Sequence, residues 1–152
     1  MDTFAHAIWS YIIFQNTGFP FLAVFFGAMP NLFSRTIVLI HGLITGKQFR
    51  KPDIKKIPKW AVTLYGITHS IFIFGATILI IYLIIGYVPI YLWAWLLHIL
   101  INIPTHSRKF LPTPFLWPVS DWKFPGFSWR QPRFMILNWT AIIICFVLFV
   151  VF

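Results

Sequence analysis

His98, Asn102 and His106 stand at four-residue intervals inside an otherwise apolar stretch, His98-Ile-Leu-Ile-Asn102-Ile-Pro-Thr-His106. Residues i and i+4 share a helical face, so the His98 imidazole and the Asn102 amide are predicted to reach one point. That is metal-site spacing, and imidazole suits zinc and other first-row divalent ions. An ion with an open coordination position lowers the pKa of bound water enough to make a nucleophile near neutral pH. The carboxylate expected to complete such a site is missing, because Asp2, Asp53 and Asp121 are the only acids in the chain.

The elements that position these residues must suit an oily chain. Of 152 residues, 59% are hydrophobic and 10% charged, against about 25% charged in a typical soluble domain. The composition predicts an all-α, polytopic integral membrane protein forming one domain over residues 1–152. Without water in the lipid core only helices or a closed barrel satisfy the backbone, and long unbroken apolar runs exclude the barrel. The net charge of +9 lies mostly in two loops between apolar runs. Membrane orientation and anionic headgroups account for it better than nucleic acid, which would need a continuous basic face. Cys145 is the single cysteine, so no disulfide framework is expected. The first residues carry Asp2 and no basic cluster, unlike a cleaved signal peptide.

Residues 61–85 and 134–152 are uncharged or nearly so and long enough to cross a roughly 30 Å hydrocarbon core. Residues 88–103 are predicted as a third, shorter transmembrane helix that pairs with 61–85 through the turn at Gly86-Tyr87-Val88-Pro89. Asn16-Thr17-Gly18-Phe19-Pro20 is a strong break. It divides residues 4–30 into two half-span helices, read as a hairpin that enters and leaves from one side. Residues 32–46 are read as an interfacial helix. Six Lys or Arg residues in 47–59 and five in 105–133 place both loops in the cytoplasm of an inner or plasma membrane, with the C-terminus outside.

This topology gathers polar side chains at one depth. His69 and His98 reach similar levels on antiparallel neighbours, and His6 and Asn31 flank the open end of the short hairpin. His106 begins the loop at 104–133, while His41 fits the arrangement least well. Polar groups in lipid are costly and mark function, although any one histidine could simply be a hydrogen-bonded interior residue. Six prolines and seven aromatic residues fill that loop, which suits either an interfacial anchor or a lid over His98. Arg108 and Lys109 are candidates to attract an anionic headgroup. Asp121 is open to reading as an acid, a supporting partner or a turn residue after Ser120.

Taken in order, His6, Gly27-Ala-Met-Pro-Asn31, Ile67-Thr-His-Ser70, His98-x3-Asn102-x2-Thr105-His106 and Leu116-Trp-Pro-Val-Ser-Asp121 resemble the YdjM-type family of membrane-bound, metal-dependent hydrolases. The resemblance runs from about residue 4 to residue 130. That family is distantly similar to zinc-dependent phospholipase C enzymes. The resemblance implies metal ligands at His6, Asn31, His69, His98 and Asn102, with His106 as a further candidate. Asp121, at a position the family keeps polar, and Arg108 are the catalytic candidates among the remaining residues. The family pattern has Asp where this chain has Asn31 and Asn102. An amide oxygen can bind a cation, but it adds no charge to offset Zn²⁺ and cannot act as a general base.

Two functions follow as expectations. One is a metal-dependent hydrolase, active or a pseudoenzyme, acting on a lipid-linked ester or phosphoester at the cytoplasmic interface, with a divalent metal, zinc by ligand type, and membrane lipids as partners. The other is a noncatalytic lipid- or partner-binding protein on the same scaffold. A transporter is disfavoured, since paired broken helices in repeated halves are not evident.

Overall fold

The structure, a computed structural model, describes residues 1–44, 46, 58–109 and 112–152. The basic loop expected at residues 47–59 therefore lies outside the described residues as far as residue 57.

Helix α1 spans Thr3–Phe14 and starts where Asp2 accepts from the Ala5 N–H at 2.9 Å. The chain reverses through Gly18, whose φ of 79° suits glycine, and α2 (Pro20–Asn31) begins on a proline. The reversal is where the sequence places it, but the second arm is not a half-span. After Pro30 the chain widens into one π turn, Leu32–Thr36, and continues as α3 (Ile37–Ile44). Pro30 lacks an N–H, and the wider turn carries the helix past the defect, with Ser34 Oγ donating to the Pro30 carbonyl at 2.6 Å. Residues 20–30 and the piece read as an interfacial helix at 32–46 thus form one helix, Pro20–Ile44, of 25 residues.

A second difference concerns the span expected at 61–85. It is two helices, α4 (Lys59–His69) and α5 (Ile71–Ile85), bent by 58°. Ser70 makes the bend: its backbone is extended, and its Oγ accepts from the Phe72 and Ile73 N–H groups as the cap of α5. Three further bonds at the break come from elsewhere in the chain. Trp95 Nε1 donates to the Thr68 carbonyl at 2.7 Å, the Ile71 N–H donates to the Phe115 carbonyl at 2.9 Å, and Ser70 Oγ donates to the Trp117 carbonyl.

Gly86, at φ 79°, ends α5, and a 3₁₀ turn at Ile90–Leu92 leads into α6 (Trp93–Thr105). The piece expected at 88–103 is thus shorter than a full span and ends two residues later. The last helix, α7 (Pro132–Phe146), extends through a π turn to Val151. Two helices, Pro20–Ile44 and Pro132–Val151, are long and apolar enough to cross a membrane, or three if the bent α4–α5 pair is one span. Among the described residues there is no strand, only an isolated bridge between Ser107 and Gly126.

The molecule has two distinct ends. At one, Phe19 packs on Tyr91 and Gln15 Nε2 donates to the Phe149 carbonyl, joining the α1–α2 turn, the start of α6 and the end of α7. At the other, the amino group of Met1 meets Asn102 and Thr105 at the end of α6. Beside three buried apolar clusters, the exterior is rich in large apolar side chains and a polar cluster is buried. Leu39, Leu43, Ile44, Leu83, Ile84, Leu137 and Phe149 face outward, while His6, His69, His98 and Asn102 are fully enclosed.

Candidate metal centre

Three histidines from three helices cluster here: His6 and His98 bond to Asn102, and His69 approaches His98. His6 comes from α1, His69 from the last residue of α4, and His98 with Asn102 from adjacent turns of α6. Gly27 of α2 makes the approach possible: a Cβ there would stand 1.9 Å from Ser10 Oγ, so only glycine lets α2 lie against α1 beside His6. The Gly27 carbonyl is then 2.6 Å from His98 Nδ1.

The partners restrict where the protons sit. A carbonyl only accepts, so His98 Nδ1 is the donor to Gly27, and in a neutral ring Nε2 carries a lone pair. Asn102 uses both ends of its amide: Nδ2 donates to His98 Nε2 at 2.8 Å and Oδ1 accepts from His6 Nε2 at 2.9 Å. The Met1 amino group, a pure donor, also meets Oδ1 at 2.8 Å, which agrees with this amide orientation.

His69 is harder to satisfy. Its Nδ1 lies 3.1 Å from the Tyr65 carbonyl and 2.9 Å from Thr68 Oγ1, while its Nε2 lies 3.2 Å from His98 Nε2. With the proton on Nδ1, the bare Nε2 of His69 faces a His98 Nε2 that already accepts from Asn102. With the proton on Nε2, Nδ1 faces the Tyr65 carbonyl oxygen. Both contacts become favourable when Nδ1 holds its proton and a cation takes the place of the Asn102 N–H at the paired Nε2 atoms.

The fit to a metal is thus good for His69 and His98 and incomplete for His6. The His6 ring is stacked on His98, 3.8 Å between centroids and 23° from parallel, and its Nε2 turns to the Asn102 amide. Among the described residues no three His, Cys, Asp or Glu side chains converge in metal-holding geometry. Asn102 turns Nδ2 to His98 and Oδ1 to His6 and Met1, so its uncharged oxygen would reach an ion at the Nε2 pair only with the amide turned over.

The other expected site residues lie around this centre. Asn31 is buried at the end of α2, one turn beyond Gly27. His106 follows α6, and its Nδ1 donates to the Asn102 carbonyl at 3.2 Å. Burial, then the nearby amino terminus, pushes His106 down to about 3, so it is neutral at physiological pH. Arg108 and Asp121 are not brought to the centre. Arg108 is exposed with its guanidinium on the Lys123 carbonyl, and Asp121 is exposed on the loop.

Several supporting residues escape a reading of side-chain types. Thr113 donates to the Asn102 carbonyl at 3.0 Å and is paired with the Tyr65 hydroxyl. Trp117 lies on Gly66, where a Cβ would be 3.0 Å from its ring. Gly27 stands within a quoted motif, but its role as a carbonyl acceptor leaves no residue signal; Thr113 and Trp95 carry none either. The chain matches no family model, and it matches no curated protein and no solved structure.

Proposed function

We propose that the chain is a polytopic membrane protein on a metal-dependent hydrolase scaffold of the type it resembles. His69 and His98 would hold a divalent ion, zinc by ligand type, with His6 as third imidazole and Asn102 as neutral oxygen donor. The observation that carries this reading is the approach of two Nε2 atoms to 3.2 Å while both Nδ1 atoms have carbonyl partners. Such an ion supplies the Lewis acidity that activates water for hydrolysis. The residues of the chain enclose and orient: Gly27 and Tyr65 carbonyls fix the ring orientations from outside the centre, as second-layer acceptors do at metal sites. The substrate class is a lipid-linked ester or phosphoester, an assignment supported by the basic, aromatic segment that follows α6.

Under this reading Pro20–Ile44, the bent α4–α5 pair and α7 cross the bilayer, α6 returns partway, both basic loops are cytoplasmic and the C-terminus is outside. Metal analysis of detergent-purified protein tests the centre. Near-stoichiometric zinc in the parent, lost in His69→Ala and His98→Ala, is expected. Metal absent from both the parent and an Asn31→Asp/Asn102→Asp variant overturns the proposal.

One observation favours a second reading, a noncatalytic centre closed by hydrogen bonds. The Asn102 amide matches a donor on His6 and an acceptor on His98, which links them without an ion. In that case His98→Ala lowers stability and leaves metal content unchanged.

A further inference from the structure

The strongest unassigned feature is a cationic face beyond the end of α6. Residues 105–133 hold five Lys or Arg residues against one acid, Asp121. Three of the cations are gathered by the backbone. Arg108 Nε and Nη2 both donate to the Lys123 carbonyl, at 3.0 and 2.8 Å, and Ser107 is bridged to Gly126. Arg108, Lys109 and Lys123 are thereby brought into one region from two segments. Arg108 keeps the remaining N–H groups of its fork for an outside acceptor.

This face is anchored at the level where helices begin and end. A Cβ on Gly126 would stand 2.5 Å from the Pro104 carbonyl and 2.6 Å from that of His106, so the loop lies directly on the end of α6. The Phe127 and Trp129 N–H groups donate to the Pro104 and Thr105 carbonyls at 2.9 and 3.0 Å. Phe127 also packs on Phe134, in the first turn of α7. Beside the cations, Trp122 is 50% exposed and Phe124 40%. Exposed rings next to fixed cations, at the point where an apolar helix begins, match the chemistry of a headgroup layer.

We infer that the face formed by residues 107–109 and 122–127 binds the anionic phospholipid headgroups of the bilayer that holds the chain. The inference rests on the membrane reading above but not on the metal. The phosphate oxygens accept from Arg108, Lys109 and Lys123, and Trp122 and Phe124 enter the interfacial layer. Anionic lipid is thereby concentrated beside the helix that carries His98.

The test uses the full chain reconstituted in phosphatidylcholine vesicles with spin-labelled phosphatidylglycerol or phosphatidylcholine, reading the motionally restricted fraction. The expected result is a roughly tenfold preference for phosphatidylglycerol, falling towards unity in Arg108→Gln/Lys109→Gln/Lys123→Gln. Charge-retaining Arg108→Lys/Lys123→Arg keeps most of it. No preference in the parent, or an undiminished preference in the triple variant that retains its helical circular dichroism, overturns the inference. Preference abolished by inorganic phosphate, but not by chloride at equal ionic strength, overturns the bilayer as the source. Flotation separates the two levels: a chain that does not float with vesicles refutes the membrane reading itself, whereas one that floats without lipid preference refutes only this face.

Discussion

Asn102 is the residue on which the centre turns, because an amide and a carboxylate would do different things between His6 and His98. The amide donates at one end and accepts at the other, and both ends are used. A carboxylate would accept at both and would need a cation or a second proton at His98. The i,i+4 relation of His98 and Asn102 was legible from spacing, and so was the convergence of His6 and His69 once helices were drawn. The tautomer-setting groups were not, since the acceptors on Gly27 and Tyr65 are main-chain atoms. His106 provides a prediction at this scale. Its neutral form is favoured in the fold, so its contribution to stability is complete above its ordinary value near 6.5 and is lost as pH falls from there towards about 3. Thermal unfolding in detergent between pH 7 and 4 is expected to show a shallower acid loss in His106→Gln than in the parent; parallel curves would refute it.

Ser70 has the corresponding importance among the elements. Residues 61–85 read as one span because they contain no proline and no charge, and nothing in residue type marks a serine as a helix cap inside an apolar run. The structure breaks the span there because Ser70 caps α5 while Trp95, Phe115 and Trp117 supply further bonds at the break. The reversal at residues 15–20 was legible for the opposite reason: glycine and proline each have a direct backbone meaning. The separation expected between residues 30 and 32 is absent, since a single π turn after Pro30 lets the helix continue. Ser70→Ala is expected to cost about 2 kcal/mol by loss of the cap and of the bond to Trp117, with Ser70→Thr recovering much of it. Reversible unfolding in mixed micelles measures this, and an unchanged midpoint for Ser70→Ala would show that the bend is held by packing alone.

For the whole molecule the apolar exterior matters most. Large apolar side chains are widely exposed around a core that encloses the His6, His69, His98 and Asn102 cluster, as the membrane reading proposed above requires. The apolar exterior was legible in the composition, and the sidedness proposed above can be tested directly. In a Cys145→Ala background, Tyr87→Cys is expected to react with an impermeant maleimide from outside intact cells, and Val119→Cys only after lysis. Both positions are well exposed, at 62% and 70%, so labelling reports side rather than burial. The reverse pattern would invert the topology.

The break between α4 and α5 also has a consequence for how the chain is made. Its hydroxyl partner, the Trp117 carbonyl, lies 47 residues further along. A bent span therefore leaves the ribosome before the segment that completes it exists. Until then, either α4–α5 stays straight or the backbone groups opened by the bend remain without these partners. Maturation of the histidine centre is thus tied to synthesis of the aromatic loop, and a chain truncated before Phe115 would lack the backbone partners that close its bent helix pair.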